Sequence, residues 1–564
     1  MSIFAVLTNK SLKLMRKLNH GALAMLCATA ILITSCANQP VETGSYDIIP
    51  LPKQVCLNGE GAPFVVKPST TIAFPEGNAK MESTARLLAG YIKEMTGTAV
   101  KTAASTGGKG CIVLTLDPTI GNSEGYRLTV TDESVTLAGA TEAAVFLGCQ
   151  TICKALPLTD GKALGALPAG EVNDAPRYPY RGFLIDVGRH FFPVDYLKEL
   201  IDVMALHSIN YFHWHLTEDQ GWRIEIKKYP RLTEIGSTRP ETIVAPGTDI
   251  YDGKPVSGYY TQEEAREIVE YAAERFITVI PEVDLPGHTL AALTAYPEMG
   301  CSGGPYTMPT KFGVFDEVLC GGNDKALQFA KDVINEIMDI FPSEYIHIGG
   351  DECPKVNWER CPRCQAKIRE LGLHPTRQHS KENQLQAWFM GEIGKEIAAR
   401  GRKMMAWDEI LEGNPDKSVT VMAWTSTRAV TASAKLGHKT VVCPILYLYF
   451  SNPRMNRLMG EDGVKRVYDF NPVTEGLTPE EAENIIGAQG CIWTEWTKDS
   501  IKMEWQMMPR IAALSELQWS DAEKDYDGFI ARLRRHIEIY KMKGWNFKSL
   551  DPADSAKYVQ FPMP

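Results

Sequence analysis

The feature that most constrains this chain is a regular alternation of short apolar runs with amphipathic helical stretches, which begins at Tyr180. The apolar runs have the length of buried strands, and they are Arg181–Val187, Tyr211–Leu216, Thr278–Val283, Tyr345–Ile348, Lys403–Trp407, Val419–Trp424, Thr440–Tyr449 and Ala488–Trp493. Helical periodicity occurs between them in the stretches Val194–His207, Thr261–Arg275, Asp324–Phe341, Glu382–Arg400 and Met503–Leu517. Because strands that alternate with helices in this number are what a (β/α)8 barrel requires, the sequence predicts an α/β fold of the TIM-barrel type. The competing architecture, a doubly wound open sheet, would have a glycine-rich phosphate turn after its first strand, and Val187-Gly-Arg-His190 is not such a turn.

A different pattern precedes the barrel and predicts a small separate domain. Strands are indicated at Gly110–Leu116, Tyr126–Val130 and Ser134–Ala138, and amphipathic helices at Met81–Met95 and Thr141–Leu156. The ionisable residues of this part form no grouping that suggests chemistry. We therefore interpret residues 37–175 as a non-catalytic α+β domain, residues 176–545 as the barrel domain and residues 546–564 as a C-terminal tail.

Residues 1–36 have the composition of an export signal. Basic residues between Lys10 and Lys17 precede an apolar run, Gly21–Ile33, which is too short to span a bilayer and ends at Cys36. The sequence around Cys36 resembles a bacterial lipobox, which implies cleavage before Cys36 and acylation of its thiol. A plain signal peptide with an incidental cysteine is the alternative, and translation could also begin at Met15. We expect an exported protein, lipid-anchored in the bacterial cell envelope, in the periplasm or at the cell surface.

Charge and cysteine spacing limit the possible partners and metals. A net charge of −10 argues against a nucleic-acid partner, because phosphate binding needs a positive surface. Cys301 and Cys320 bracket a glycine-containing loop and are a candidate disulfide. Cys353, Cys361 and Cys364 are grouped closely enough for zinc, but the sequence shows no fourth ligand nearby, so a disulfide plus a free thiol is preferred. The oligomeric state is left open.

Polar and aromatic residues follow the predicted barrel strands at the end where barrels build their active sites. They are Arg189, Glu218, Asp219, Asp284, His288, Asp351, Glu352, Trp407, Asp408, Glu409, Trp424, Tyr447, Tyr449, Trp493 and Glu495. Indole faces stack on the C–H surfaces of sugars, while carboxylates and arginine bind hydroxyl groups. The pattern therefore favours a carbohydrate ligand, although each tryptophan could instead be a core residue.

The fourth predicted strand ends in His347-Ile-Gly-Gly-Asp351-Glu352. The two glycines would let the backbone come close to a ligand, and the adjacent carboxylates call for distinct roles. Adjacent acids suit neither the spacing of about 5 Å in ordinary retaining glycosidases nor the wider inverting arrangement. They suit a mechanism in which one carboxyl is the acid and the other orients a group of the substrate. A solvated acidic pair at a helix start is the alternative.

These residues resemble the signature of glycoside hydrolase family 20, the β-N-acetylhexosaminidases. The resemblance covers the barrel nearly end to end, and the similar segments are Arg181–Asp186 with Arg189, His213–Arg223, Pro281–His288, His347–Glu352, Ala406–Glu409 and Trp493–Glu495. Ile49–Pro52 and Glu124–Leu128 are similar to the family's non-catalytic domain. The resemblance implies exo-acting hydrolysis of terminal β-linked N-acetylglucosamine or N-acetylgalactosamine with retention, and it implies no metal or organic cofactor.

The resemblance also implies a role for each site residue. Glu352 would be the general acid and base, which requires partial burial and a negative neighbour such as Asp351. Asp351 would orient the substrate's acetamide, whose oxygen is the nucleophile, and would stabilise the oxazoline-type intermediate. The remaining residues would bind the sugar (Arg189, Trp407, Trp424, Tyr449, Trp493, Glu495) or act behind the acid (Glu218, His288). A structural Arg–Asp pair and a structural histidine are the alternatives for Arg189 and His288.

The sequence departs from the family pattern at two places. Glu218 stands where the family usually has aspartate, and Ser451 stands where a second aspartate is usual after the tyrosine. Tyr449 is favoured over Tyr447 as the donor to the acetamide oxygen because of its spacing from Pro444. Ser451 leaves recognition of O4 and O6 open, so a 6-modified hexosamine such as a sulfated one is a second candidate substrate. Two more candidate functions are release of a disaccharide and non-catalytic glycan binding by a surface lipoprotein.

Overall fold

The computed structural model describes residues 39–457 and 462–551. The predicted export signal with Cys36 lies outside the described residues, as does the predicted tail beyond residue 551. Within the described ranges, no helix combines the length and the apolar content that are needed to cross a bilayer.

The N-terminal domain is a mixed sheet covered by two helices. Along the sheet the strands are Gln54–Leu57, Gly170–Asp174, Tyr126–Val130, Val135–Gly139, Cys111–Leu116, Thr71–Phe74 and Lys101–Ala104. A smaller sheet contains Val41–Thr43, Leu164–Leu167 and Phe64–Val65. The helices Ala79–Thr96 and Glu142–Ala155 pack against each other and on the larger sheet. The small α+β domain, with strands and helices at the expected positions, is therefore confirmed.

The second domain is a closed barrel of eight parallel strands, as predicted. The strands are β1 (Tyr180–Asp186), β2 (Tyr211–His215), β3 (Thr278–Glu282), β4 (Tyr345–His347), β5 (Lys403–Trp407), β6 (Thr420–Ala423), β7 (Thr440–Val442) and β8 (Ile485–Ile492). The barrel closes where β1 pairs with β8, over the register from Tyr180 opposite Gly487 to Ile185 opposite Ile492.

Helices surround the barrel and fill its loops. The longer ones are Val194–Leu206, Gln262–Ala273, Asp324–Ile340, Pro362–Glu370, Lys381–Ala399, Thr427–Lys435, Ser500–Met507, Arg510–Trp519 and Tyr526–Lys543. The shorter ones are Arg231–Glu234, Leu290–Ala295, Val356–Arg360, Ile445–Leu448, Pro453–Arg457, Asp462–Tyr468 and Pro479–Ala482, with 3-10 turns at Pro297–Met299 and Asp408–Gly413. Two short antiparallel pairs, Thr217–Glu218 with Gly221–Trp222 and Thr238–Arg239 with Val256–Ser257, decorate the loops.

Local sequence signals begin several of these helices. The side chains of Asn78, Thr141, Thr261 and Ser380 each accept a hydrogen bond from a backbone N–H in the first turn. Thr261 forms a full capping box with Glu264, whose carboxylate accepts from the backbone N–H of Thr261. Such caps satisfy amide groups that otherwise have no partner at a helix start.

Proline explains two errors in the predicted elements. The apolar run Thr440–Tyr449 was expected to be one strand, but β7 ends at Val442 and the helix Ile445–Leu448 begins directly after Pro444. The stretch Met503–Leu517 was expected to be one helix, but it is broken between Met507 and Arg510. Pro509 has no amide hydrogen to donate, so it cannot continue the first helix.

The cysteines are arranged differently from the prediction. All eleven described cysteines are free thiols, so the expected Cys301–Cys320 disulfide is wrong for this structure. Cys301 and Cys320 instead lie beside Cys361 and Cys364, while Cys353 is outside that cluster. Two thiols that the sequence did not connect with Cys361 and Cys364 thus come from the loop after β3, about forty and sixty residues before Cys361.

The two domains are joined through buried polar contacts. Arg181, which is 1% exposed, donates from both terminal nitrogens to Glu124 of the N-terminal domain, over 2.9 and 2.7 Å. The indole of Trp519 donates to Asp174 at 3.0 Å. The small domain is therefore fixed at the side of the barrel where β1 begins, away from the carboxyl ends of the strands.

Candidate active site

A hollow of about 250 Å³ opens among the loops that follow the barrel strands. It is lined by Arg189, Asp351, Glu352, Trp424, Ile445, Tyr449, Ser451, Asn452, Pro453, Trp493, Glu495 and Trp496. Of the residues expected to act on or bind a substrate, all except Trp407 line it. Asn452, Pro453 and Trp496 were not anticipated, although Trp496 directly follows Glu495 in a segment that the sequence had singled out.

Aromatic rings form one wall of the hollow. Trp424 and Tyr449 lie parallel, with ring centroids 5.8 Å apart and an angle of 11° between the planes. Trp493 is tilted against Tyr449 at 5.9 Å. The indole of Trp424 is fixed from behind because its Nε1 donates to Glu409 Oε2 at 2.9 Å. The wall is therefore a rigid apolar surface with a phenol hydroxyl at one position.

Trp407 lies next to the hollow without reaching it. Its side chain is fully buried, its Nε1 donates to Glu282 at 2.8 Å, and its ring centroid is 5.8 Å from that of Trp493. In this structure Trp407 supports the aromatic wall from behind, and its expected contact with a substrate stays a prediction.

The turn that carries the acidic pair depends on both glycines. Gly349 and Gly350 have φ values of +64° and +99°, in the region that favours glycine. A Cβ on Gly349 would lie 1.7 Å from Asp284 Oδ1, and one on Gly350 would lie 2.4 Å from the Met390 side chain. Neighbouring side chains therefore already approach both glycines, and the expected close approach of a ligand to this backbone stays a prediction. Glu352 itself has a φ of +43°, an uncommon conformation for a residue with a side chain.

Asp351 has an unpaired acceptor at the edge of the hollow. The residue is 9% exposed, and its Oδ1 has no hydrogen-bond partner among the described residues. Burial, reinforced by the nearby carboxyl of Asp284, raises the pKa of Asp351 well above its usual value. A buried carboxylate oxygen without a donor is costly, so this atom is suited to receive an N–H from a bound molecule.

Glu352 is less enclosed than Asp351. Its side chain is 40% exposed, so it is partly buried and in part open to solvent. The carboxylate faces His288, whose Nε2 lies 3.4 Å from Glu352 Oε2 and 3.9 Å from Asp351 Oδ2. One imidazole therefore contacts both members of the acidic pair.

His288 is held by two carboxylates on its other side. Its Nδ1 lies 3.0 Å from Asp219 Oδ2 and 3.3 Å from Glu218 Oε2. Burial alone would lower the pKa of His288, but the carboxylate of Glu218 and the hydrogen bonds to Asp219, Glu218 and Glu352 raise it well above its usual value. The expected contact between His288 and Glu218 is present, and Asp219, which was not in the expected set, provides the shorter one. His288 is therefore in contact with an aspartate as well as with Glu218.

Arg189 joins three acidic groups at the edge of the hollow. Its guanidinium lies 2.6 Å from Glu218, 3.3 Å from Asp186 and 3.8 Å from Glu495, and it stacks 5.2 Å from the ring of Trp493. Arg189 therefore pairs with Asp186, as the structural alternative proposed, and it also lines the hollow. Glu495 is 29% exposed, and burial raises its pKa despite the opposing charge of Arg189.

A buried cluster of one acid and three histidines lies beneath the site. Glu282 contacts His213 at 3.0 Å, His215 at 2.5 Å and His347 at 3.0 Å. Burial would raise the pKa of Glu282, but the imidazoles lower it well below its usual value. The sequence offered a signal for this cluster, since His213 and His215 alternate along β2 and therefore point to one side of it.

Ser451 is used structurally at the position where aspartate was expected. Its Oγ accepts a hydrogen bond from the backbone N–H of Trp493 at 3.0 Å, which ties the segment after β7 to the end of β8. Ser451 also lines the hollow. The side of the hollow next to Ser451 therefore carries a small neutral group.

Ligand-type atoms that could hold a cation occur near the hollow, but they already pair with one another. Such groups include Glu218, Asp219 and His288, and also Glu282 with His213 and His347. In each group an imidazole nitrogen lies at hydrogen-bond distance from a carboxylate. This arrangement positions protons and charges and does not present an open coordination site.

Comparisons with known proteins agree with this geometry. The family model described as "Glycosyl hydrolase family 20, catalytic domain" matches residues 178–522, and "Glycosyl hydrolase family 20, domain 2" matches residues 45–175. A beta-hexosaminidase of Porphyromonas gingivalis is 36% identical over 97% of this chain and 71% of its own length.

Two solved structures are similar over most of the chain. The Streptomyces plicatus N-acetyl-beta-hexosaminidase in complex with Thio-NAglucal has a TM-score of 0.75 and 30% identity, over 89% of this chain and 96% of that one. The Vibrio harveyi exo beta-N-acetylglucosaminidase in complex with N-acetylglucosamine has a TM-score of 0.78 and 27% identity, over 91% of this chain and 79% of that one.

Proposed function

The chain belongs to glycoside hydrolase family 20, the β-N-acetylhexosaminidases, and from this premise we propose that it removes terminal β-linked N-acetylglucosamine or N-acetylgalactosamine with retention, using the acetamide oxygen of the substrate as the nucleophile. The observation that carries the proposal is the unpaired, buried Oδ1 of Asp351 in a hollow with an aromatic wall, directly beside Glu352. A sugar ring fits such a wall, and an acetamide N–H supplies the missing donor.

Asp351 positions the nucleophile in this mechanism. Its carboxylate accepts the acetamide N–H, which turns the carbonyl oxygen toward the anomeric carbon and removes the need for an enzyme nucleophile. As the C1–O bond to the acetamide forms and the glycosidic bond breaks, positive charge develops on the oxazoline-type ring. The negative charge of Asp351 would stabilise that ring, and Tyr449, which lines the hollow, would donate its hydroxyl to the acetamide oxygen.

Glu352 transfers the protons. It protonates the glycosidic oxygen as the bond breaks, and it then removes a proton from the water that opens the oxazoline ring at C1. Its contact with His288 at 3.4 Å, and the carboxylates on the far side of that imidazole, support this role by fixing the acid relative to Asp351. Two displacements at the same carbon give net retention.

The remaining lining residues would bind the terminal sugar. Trp424 and Trp493 enclose the acetamide methyl group, while Arg189 and Glu495 bind ring hydroxyls. Trp407 would act by supporting Trp493 from behind unless binding exposes it. With Arg189 and Glu495 on the ring hydroxyls, a sugar substituted at its non-reducing end would meet these two side chains, and this supports exo action.

A 6-modified hexosamine is the second candidate substrate. Ser451 supports this because it is small, uncharged and located in the lining. Turnover of a 6-sulfated aryl N-acetylglucosaminide would be compared with that of the unmodified glycoside. A preference for the sulfated substrate would favour this candidate, while its exclusion would leave the unmodified sugar.

The central experiment uses aryl β-N-acetylglucosaminide, aryl β-N-acetylgalactosaminide and the aryl β-glucoside that lacks the acetamide. We expect turnover of one or both acetamido substrates and none of the glucoside. Glu352→Gln is expected to lower kcat by roughly 10²–10⁴-fold for leaving groups that need protonation. Glu359→Gln, an exposed acid of the same loop, is the matched control and retains activity.

Two outcomes would contradict the proposal. Equal turnover of the glucoside would exclude participation of the acetamide. Failure to hydrolyse any aryl substrate would favour release of a disaccharide or non-catalytic glycan binding.

We also propose that the protein is exported and anchored through an acylated Cys36, on the basis of the lipobox-like sequence. Growth with radiolabelled palmitate is expected to label the processed chain, which begins at Cys36, in the membrane fraction. Cys36→Ala abolishes the label if the thiol is the attachment site, while Cys27→Ala, within the apolar run, retains it. Release of an unlabelled chain from cells that carry unaltered Cys36 would indicate a plain signal peptide.

A further inference from the structure

Four thiols converge outside the active site. The Sγ atom of Cys320 lies 3.7 Å from that of Cys361 and 3.6 Å from that of Cys364, and Cys301 lies 3.9 Å from Cys364. Cys320, Cys361 and Cys364 are buried, and Cys301 is half-buried. None of these residues lines the hollow described above.

We propose that these four cysteines form a structural zinc site that joins the loop after β3 to the loop after β4. Four thiolates at about 2.3 Å from one tetrahedral ion lie about 3.8 Å from each other. Three of the six sulfur pairs are 3.6–3.9 Å apart, and all four sulfurs lie within 4.8 Å of one another. A disulfide would bring two sulfurs to about 2.05 Å, and no pair among the four is that close. The complete set of thiolate ligands is that of a closed site, which has no open position for catalysis.

The local fold supports a built site. Cys361 precedes the helix Pro362–Glu370 and Cys364 lies in its first turn, so Cys361-Pro-Arg-Cys364 turns both thiols toward one point. Arg363, between them, donates to the backbone oxygens of Gly300 and Cys301. Its positive charge and these hydrogen bonds bring the two loops together and offset part of the negative charge that four thiolates would leave around a divalent ion.

The surrounding packing leaves little freedom for the loops to separate. Trp358 is fully buried, and its indole donates to the backbone oxygen of Leu319, the neighbour of Cys320. Gly322 lies so close to the backbone at Arg363 that a Cβ would be 2.3 Å from it. The thiols are thus presented by backbone segments that already touch.

The site has a consequence for the segment that follows the acidic pair. Cys361 lies nine residues after Glu352, and the loop held by Cys301 and Cys320 includes Val314. Val314, Glu352, Pro354 and Lys355 together line a second hollow of about 290 Å³ on the other side of Glu352. Zinc would therefore fix the two loops that form this hollow. The importance of this hollow for catalysis rests on the proposed function, whereas the assignment of the metal does not.

The test is metal content of the full-length protein, purified without chelators or added metals. We expect about one zinc ion per chain, measured by inductively coupled plasma mass spectrometry. Cys364→Ser is expected to lower this to less than a tenth of that value. Cys353→Ser, which removes a thiol in the same segment but outside the cluster, retains the zinc.

If Cys364→Ser fails to fold, X-ray absorption at the zinc edge of the unaltered protein provides an independent test of the ligands. Four sulfur ligands at about 2.3 Å would support the site. Nitrogen or oxygen ligands, bound iron, or zinc that persists in Cys364→Ser would overturn it. Peptide mapping that finds disulfides among the four cysteines, with no zinc bound, would overturn it as well.

Discussion

The carboxyl groups of Asp284 and Asp351 lie close together beneath the hollow, and each disfavours the ionisation of the other. Oxygen atoms of both, with a nitrogen of His288, lie within 4.8 Å of one another. Burial raises the pKa of Asp284 to about 7, and Asp284 in turn contributes to the raised pKa of Asp351. Because like charges at this distance resist joint ionisation, the two carboxyl groups titrate as a coupled pair.

Asp284→Asn should therefore shift the pH dependence of the enzyme. Removing the neighbouring charge lowers the raised pKa of Asp351, so the ionised form that the proposed mechanism uses persists to lower pH. We expect the acidic limb of the kcat/KM profile to move down by about one pH unit, while the amide retains the acceptor for the Gly350 N–H. Asp249→Asn, on a distant exposed loop, should leave the limb in place. An unchanged limb in Asp284→Asn would show that another group controls it.

The positions of the site residues could be predicted from the sequence where a motif contained them, whereas contacts that depend on side-chain direction could not. Asp351 and Glu352 were recognised as a pair, but the contact of His288 with Asp219 depends on how the loop after β2 turns. The burial of Trp407 likewise depends on its hydrogen bond to Glu282, an acid 125 residues away in the chain. Such partners are distant in sequence and carry no local signal.

At the scale of elements, the helix Lys381–Ala399 contains two glycines that differ in their surroundings. A Cβ on Gly391 would meet nothing within 4 Å, whereas a Cβ on Gly394 would lie 2.9 Å from Met404 Sδ. Glycine lowers helix stability relative to alanine because its backbone is freer in the unfolded chain.

Gly391→Ala should stabilise the protein by about 0.5–1 kcal/mol, seen as a rise in the midpoint of thermal unfolding. Gly394→Ala gains the same backbone term but must displace the buried side chain of Met404, so its rise is expected to be smaller or absent. A fall in the midpoint for Gly391→Ala would indicate that this position is not free space.

Element boundaries were predictable to within a few residues wherever apolar periodicity agreed with the local breakers. β5 was predicted at its observed bounds, Lys403–Trp407, because polar residues flank an uninterrupted apolar run. β7 was predicted too long because hydrophobicity continues past Val442, and Pro444 is the signal that should have ended it. Periodicity reports burial, and a buried loop helix is as apolar as a strand.

At the scale of the whole molecule, the ion pair between Arg181 and Glu124 ties the domains together. Arg181 is almost fully buried and also donates to the backbone oxygens of Ser208 and Tyr178, and Glu124 provides the counter-charge for its guanidinium. The division into two domains could be predicted from a change of pattern in the sequence. The contact between Glu124 and Arg181 could not, because the two residues are 57 positions apart and neither carries a local signal for the other.

Glu124→Gln is expected to lower the free energy of unfolding by about 1–3 kcal/mol, because it leaves a buried guanidinium without its counter-charge. Calorimetric unfolding should show a lower midpoint. Glu133→Gln is the control, since that acid of the same domain pairs with Lys109 in solvent and its loss should leave the midpoint unchanged. Equal midpoints for Glu124→Gln and the unaltered protein would show that the domains do not depend on this pair.

The barrel is closed by β8, a segment that is synthesised late because it lies near the end of the chain. β1 finds one of its two neighbours only in β8, and Trp493 and Glu495 stand just after β8. A chain that stops short of this point has an open sheet edge and lacks Trp493, one of the three rings of the aromatic wall. Catalytic activity therefore requires a closed barrel. Incompletely synthesised or C-terminally truncated molecules should be inactive even when their acidic pair is intact.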